Sequence, residues 1–280
     1  MARRAICVGI NKFAKFPQFE LRGCVNDAKD MAALARSLLG FKAKEVSVLT
    51  DAQATKAAIL AKLKAAVADA KAGKLSYLLF SLSSHGTQLA DPSGDEPDGM
   101  DEAFVPYDIA QKGDAWDPAH IISDDELHDL FVQLPSTVLL EVFLDTCHSG
   151  SGLRGAEFSL NAPRARYVAP PAGEFQGAVR QRSVRGFTLG APDAAAREVA
   201  GAHHVLWTGC KSNQTSADAY FDGRYSGAFT YWYVKVMKET GNQLARKAVM
   251  QKVRAGLKGK FTQVPQLETN ATNRAQAIAH

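Results

Sequence analysis

The sequence predicts an α/β fold built on a mostly parallel sheet of about six strands. Short apolar runs rich in β-branched and aromatic residues alternate with longer segments whose apolar residues recur every three to four positions. Glycines close several of the helical segments. With 280 residues, 46% hydrophobic and 22% charged, the chain is long enough and apolar enough to bury a large core.

The elements follow in order. Residues 4–10 form a first strand. Residues 27–39 place Ala28, Met31, Ala32, Ala35, Leu38 and Leu39 at helical spacing, with Gly40 as the stop. A short strand is expected over 45–50. A helix over 54–72 carries Ile59, Leu63, Val67 and Ala70 on one face and ends at Gly73. Residues 75–81 form a buried strand. Ser123 precedes Glu126 by three residues, a capping-box spacing, and Leu127, Leu130, Phe131 and Leu134 give the following helix its apolar face. Strands over 137–144 and 204–208, helices over 228–239 and 243–257, and an edge strand over 261–267 holding Pro265 complete the pattern. No internal repeat is present. Two stretches break the rhythm: the acidic, turn-rich residues 91–108 and the proline-containing, aperiodic residues 154–201. A long irregular segment inside a compact domain points to function or to disorder.

Several classes are excluded by composition. No apolar run approaches the roughly 18 residues needed to span a membrane, and the N-terminal apolar stretch is too short for a signal core. Four cysteines, Cys7, Cys24, Cys147 and Cys210, are too sparse for a disulfide framework, so a reducing cytoplasm is the expected compartment. The net charge is +4. Residues 154–185 hold six arginines (Arg154, Arg164, Arg166, Arg180, Arg182 and Arg185) against Glu157 and Glu174, so this segment carries the whole excess. A local basic segment is not a nucleic-acid surface, and no nucleic-acid partner is expected.

Two segments carry chemistry. Residues 78–87 place His85 just past a buried strand, and residues 142–150 place Cys147 just past another. Ligands of open α/β sheets bind beyond the carboxyl ends of strands, so both residues fall on one functional edge. A thiol is mostly protonated at neutral pH, and a neighbouring imidazole activates it. Gly86 and Gly150 let backbone N–H groups approach an oxyanion. A small buried cysteine and a structural histidine are the ordinary alternatives for either residue taken alone. His148 competes as the base but points away from Cys147 if the strand continues; His203 and His204 read as structural. Gly150-Ser-Gly-Leu-Arg-Gly155, with Glu174 nineteen residues on, matches a dinucleotide fingerprint. The prolines that follow deny it the required helix.

Ser83-Ser-His85-Gly-Thr and Asp145-Thr-Cys147-His-Ser-Gly resemble the two catalytic motifs of metacaspases, of the bacterial type without a prodomain. Arg22-Gly-Cys-Val-Asn-Asp-Ala28, residues 94–102, residues 122–127 and residues 208–218 resemble further segments of that family in the same order. The resemblance implies a caspase-like fold and a cysteine endopeptidase, with Cys147 as nucleophile, His85 as base and acid, and the N–H groups of Gly86 and Cys147 on the oxyanion. It implies that Cys24, Asp27, Ser83 and Asp145 line the primary specificity pocket. Two carboxylates there suit Arg or Lys before the scissile bond of a protein or peptide substrate. It divides the chain into a large-subunit-like region (1–153), a basic linker open to self-cleavage at its six arginines (154–201) and a small-subunit-like region (202–280), together one domain. Ser84 departs from the family's usual glycine. Asp101, Asp124 and Asp125 match three calcium-site carboxylates, but Arg154 replaces the fourth, so no cofactor is required and at most weak Ca²⁺ binding is expected. A catalytically silent scaffold with the same fold is the alternative function.

Overall fold

The computed structural model describes residues 2–91, 99–147, 163–175, 204–211 and 214–278. Its first half runs β1 (Ala2–Gly9), α1 (Cys24–Ser37), β2 (Val46–Thr50), α2 (Lys56–Lys71) and β3 (Leu75–Ser83). Three small pieces of antiparallel structure follow: β4 (Gly86–Ala90) with β5 (Met100–Phe104), then β6 (Gln111–Lys112) with β7 (Ala115–Trp116), then β8 (Ile122–Ser123) beside β5. The chain continues through α3 (Asp124–Phe131), β9 (Leu139–Asp145), β10 (Arg164–Ala165), β11 (His204–Thr208), β12 (Ala217–Phe221) and β13 (Arg224–Gly227). It ends with α4 (Ala228–Thr240), α5 (Arg246–Leu257), β14 (Gln266–Glu268) and α6 (Ala271–Ala275).

The main sheet has six strands in the order β14-β11-β9-β3-β1-β2. All neighbours pair in parallel except β11 and β14, which are antiparallel. Alternate residues of each strand feed two separate cores. Ile6, Val8, Leu78, Phe80, Leu140 and Val142 pack with α2 and α3. Ala5, Cys7, Tyr77, Leu79 and Phe143 pack with α1, α4 and α5 on the other face. Helices on both faces bury the parallel strands, as crossover connections require.

Local chemistry explains the element ends. Thr55 caps α2 by accepting from Ala58 N–H at 3.2 Å. The capping box forms at α3: Ser123 Oγ accepts from Glu126 N–H, and the Glu126 carboxylate accepts from Ser123 N–H, both at 3.2 Å. Gly241 closes α4 at φ 59°. The structure moves the last strand from 261–267 to Gln266–Glu268, past Pro265, because proline has no N–H for the ladder. Helix α1 begins three residues earlier than its apolar spacing marks, at Cys24. The approach there is close: a Cβ on Gly9 would lie 2.1 Å from the Cys24 carbonyl oxygen. The β12–β13 hairpin and the small sheets have too few apolar alternations to register as strands in sequence.

Candidate active site

His85 and Cys147 each lie two residues beyond a register pair. Ser83 at the end of β3 stands opposite Asp145 at the end of β9, and both strands run in the same direction. The topology therefore delivers the imidazole and the thiol to one edge. Both are buried, at 5% and 0% exposure.

The His85 tautomer follows from its contacts. Nε2 lies 2.7 Å from the Phe19 carbonyl oxygen, which only accepts, so Nε2 carries the proton. Nδ1 is buried with no hydrogen-bond partner among the described residues. Burial holds the imidazole down at about 4, and the nearby Arg166 charge works in the same direction. The ring is thus neutral near pH 7, with a free lone pair on Nδ1. Phe13 and Phe19 flank it at centroid distances of 5.4 and 6.2 Å. The Cys147 thiol donates to the Ser216 carbonyl at 3.2 Å and accepts from Ser216 N–H. Burial pushes this thiol well above its ordinary range, and the neighbouring Cys210 thiol adds to the effect. In this state the pair is neutral.

The site is occupied by the chain itself. The Arg166 carbonyl oxygen accepts from Gly86 N–H at 2.9 Å and from Cys147 N–H at 3.2 Å. Arg166 N–H donates to Ser216 O at 3.1 Å, and β10 pairs antiparallel with β12, placing Arg164 opposite Asp218 and Ala165 opposite Ala217. Beyond Arg166, Val168 N–H returns to Gly86 O at 2.9 Å. An extended segment thus crosses the site with one carbonyl held by two convergent N–H donors, the arrangement that stabilises an oxyanion.

The Arg166 side chain is fully buried, where composition predicts a solvated segment. Nη2 donates to Asp27 Oδ2 at 2.6 Å and Asp218 Oδ1 at 3.0 Å; Nη1 donates to the Asp145 carbonyl at 3.0 Å and lies 3.3 Å from Asp145 Oδ2. The three carboxylates have other donors too. Asp27 accepts from Gly227 N–H, Asp218 from Arg22 and Gly23 N–H, and Asp145 from Thr230 N–H and Oγ1 and from the Ser216 hydroxyl. A Cβ on Gly227 would lie 2.2 Å from Asp145 Oδ2 and 2.4 Å from Arg166 Nη1, so only glycine fits the pocket wall. Burial raises Asp27 to about 7 despite the Arg166 charge. The Cys24 thiol lies in the same field and is raised well above its ordinary value, mainly by burial.

Of the residues singled out in sequence, Asp27, Asp145 and Cys24 converge on Arg166, with Ser83 in register beside Asp145. Gly86 and Cys147 supply the carbonyl donors. Sequence reasoning gave no role to Asp218 or Ser216, whose signal was only their place within the segment 208–218. Arg164 is exposed and reaches the Glu20 carbonyl at 2.8 Å. Arg154, Arg180, Arg182 and Arg185, with His148, Gly150, Gly155 and His203, lie outside the described residues.

The acidic neighbourhood on β5 and α3 is real but crowded. Burial first, then the charges of Asp91, Asp124 and Asp125, raise Asp101 to about 8. Among the described residues, no group of three or more His, Cys, Asp or Glu side chains is arranged to hold a metal ion. No helix of the described residues is long and apolar enough to cross a membrane.

Residues 2–276 match the family model described as the caspase domain. The chain is 32% identical to metacaspase-1A of Aspergillus oryzae, over 95% of its own length and 67% of the relative's. It is 33% identical to metacaspase-1 of Ajellomyces capsulatus, over 95% and 79%. Among solved structures, protein GSU0716 from Geobacter sulfurreducens superposes with a TM-score of 0.67 at 26% identity, covering 100% of this chain and 99% of that one. Caspase-1 from Spodoptera frugiperda shares the fold at a TM-score of 0.61 and 14% identity, covering 99% and 89%. The sheet order with its two strand-end residues, and a match spanning nearly the whole chain, lead to one conclusion: this chain belongs to the caspase-domain family, as a cysteine-type peptidase of the metacaspase group.

Proposed function

We propose that the enzyme cleaves peptide bonds after Arg, and after Lys less tightly, through Cys147 and His85, and that its first substrate is its own Arg166–Tyr167 bond. The observation that carries this reading is Arg166 itself: its guanidinium meets three carboxylates while its carbonyl oxygen meets two backbone N–H groups. That is the pose of the residue before a scissile bond. Lysine brings one ammonium in place of a fork and forms fewer of these bonds.

The chemistry follows from the protonation states. His85 Nδ1 accepts the thiol proton as Cys147 Sγ attacks the carbonyl carbon. Negative charge moves onto the oxygen held by Gly86 and Cys147 N–H. The imidazolium then gives its proton to the departing amine, leaving a thioester that water hydrolyses. Tyr167 becomes a new N-terminus. The buried neutral pair and the thiol's bonds to Ser216 suit a latent enzyme that engages its own linker.

A calcium requirement is not part of this reading. A proton on Asp101 relieves the repulsion among Asp91, Asp101, Asp124 and Asp125 at neutral pH, and a hard divalent cation would serve the same purpose with weak affinity. Activity persisting after EGTA treatment is the expected result. The deciding experiment is a cleavage profile on a peptide library, with N-terminal sequencing of the protein itself and Cys147→Ala as control. Cleavage after Arg together with a Tyr167 N-terminus is expected. Cleavage after acidic residues would overturn the specificity, and an inert wild type would favour a silent scaffold.

A further inference from the structure

The linker is seated at a second point, eight residues beyond the bond assigned to self-cleavage. Glu174 is 6% exposed, and both its carboxylate oxygens are used. Oε2 accepts from Ala90 N–H on β4 at 2.8 Å, and Oε1 from Trp116 N–H on β7 at 2.7 Å. Gly173 N–H donates to the Asp114 carbonyl, in the turn between β6 and β7, at 2.8 Å. A Cβ on Gly173 would lie 2.1 Å from that carbonyl oxygen, so only glycine can pass there. Val168 enters the apolar core, Pro170 is buried, and the Trp116 indole is fixed by its N–H bond to Thr87 Oγ1 at 3.1 Å.

We propose that the cleft between β4 and the β6–β7 hairpin is a prime-side docking site for peptides carrying a glycine–acid pair, seven and eight residues after the scissile bond. The inference rests on the reading of Arg166 as the residue before that bond. Two backbone N–H groups from different elements converge on one carboxylate, which is recognition of an acid by geometry and partial charge. The glycine requirement next to it adds a steric filter. Attachment at Arg166 and again at Glu174 makes the second contact intramolecular, which raises the local concentration of this one arginine over the other five of its segment. Cleavage breaks the chain between the two attachments and leaves residues 167–175 seated. Foreign substrates bearing the same pair would use the site once this segment has left.

Two measurements test it. In Cys147→Ala protein, which cannot cut itself, adding Glu174→Gln should raise amide exchange across residues 168–174 by about tenfold, with exchange in β3 and β9 unchanged as a check on folding. A free nonapeptide with the sequence of residues 167–175 should bind that double variant about tenfold more tightly than its Glu-to-Gln version. Unchanged exchange, or equal affinity of the two peptides, would overturn the docking site. The appearance of a Tyr167 N-terminus in wild-type protein scores the self-cleavage reading separately. Docking with no such terminus would keep the carboxylate-binding cleft and remove its prime-side assignment together with that reading.

Discussion

Arg166 and Arg246 are both fully buried, yet their surroundings differ in charge and in origin. Arg246 opens α5 and forks onto Glu141 of β9, Nε to Oε1 at 2.9 Å and Nη2 to Oε2 at 2.8 Å. Trp207 Nε1 and Tyr77 OH complete the carboxylate, and Arg246 Nη1 reaches the Ala277 carbonyl. One cation meets one carboxylate, between α5 and the central strand β9. Arg166 comes from a segment between strands and meets three carboxyl groups, and its Nε has no partner among the described residues. Each of those groups is also held by donors that do not depend on Arg166. A balanced pair closes a core, whereas a cluster of carboxylates held in place by other donors fits the proposed receptor for an exchangeable cation.

The largest difference between the two sites is expected at Arg246. Arg246→Met leaves the buried Glu141 carboxylate without its cation, and breaking such a pair costs about 3–5 kcal/mol. Denaturant unfolding should show that loss, and Glu141→Leu combined with Arg246→Met should recover most of it, since hydrophobic replacement of a whole pair is often near neutral. If the single variant were as stable as wild type, Arg246 would not be the structural member of the comparison.

Arg166→Ala should behave otherwise. In a Cys147→Ala background it empties a pocket whose carboxylates keep their other donors. A tetrapeptide amide ending in arginine should then raise the melting temperature by several degrees at saturating concentration, while the protein retaining Arg166 responds little. Guanidinium-bearing ligands should not rescue Arg246→Met, whose side chain issues from within α5. Equal responses in both backgrounds would mean that the pocket is not a receptor.

Ligand affinity and fold stability at the Arg166 pocket depend on pH with opposite signs. Asp27 sits at about 7 with Arg166 in place, and the Arg166 charge is what lowers it, so in the empty pocket it lies higher. Binding of an arginine ligand therefore releases a proton above pH 7, and affinity should rise from pH 7 upward. The fold feels the opposite sign. A carboxyl raised above its unfolded value contributes stability that is complete below about pH 4 and is lost as pH rises through 7. Asp27→Asn should flatten both trends and weaken the ligand, since a charge-assisted bond is worth about 1.5–3 kcal/mol. Calorimetric titration of the Arg166→Ala background between pH 6 and 8.5 would show a flat profile if the assignment were wrong.

Much of this was legible in sequence, and the missing parts have physical causes. Periodicity located the main strands and most helices and put His85 and Cys147 at one strand edge, and the resemblance assigned Asp27 and Asp145 to the specificity pocket. Asp218 was invisible because its role depends on the β12–β13 hairpin folding back onto the N-terminus of α1, through Arg22 and Gly23 N–H. Arg166 was one of six arginines in an aperiodic stretch, and composition alone describes such a stretch as solvated. What singles it out is a three-dimensional count of carboxylates. Glu174 stood out only as part of a misleading nucleotide fingerprint, and its backbone donors come from strands of two to five residues that carry almost no periodic signal.

The smallest expected effects separate the two sites most finely, because the substitutions are chemically alike. Tyr77→Phe removes a hydroxyl that donates to Glu141 Oε2 at 3.0 Å, and Thr230→Val removes one that donates to Asp145 Oδ2 at 2.7 Å. Each deletes one donor from a buried carboxylate and leaves others behind: Arg246 Nη2 still serves Glu141 Oε2, and Thr230 N–H still serves Asp145 Oδ2 at 3.0 Å. Each bond is worth about 1–2 kcal/mol. The energy should appear in different measurements. At Glu141 it belongs to the closed core, so Tyr77→Phe should lower unfolding stability and leave arginine-ligand affinity unchanged. At Asp145 the donor orients a receptor carboxylate, so Thr230→Val should weaken the arginine ligand by about three- to tenfold. Its cost in unfolding stability should be the smaller of the two, because a less constrained Asp145 can turn further toward Arg166 when that residue is docked. A loss of ligand affinity in Tyr77→Phe equal to that in Thr230→Val would mean that the two buried arginine sites are coupled and that the division between core and receptor does not hold.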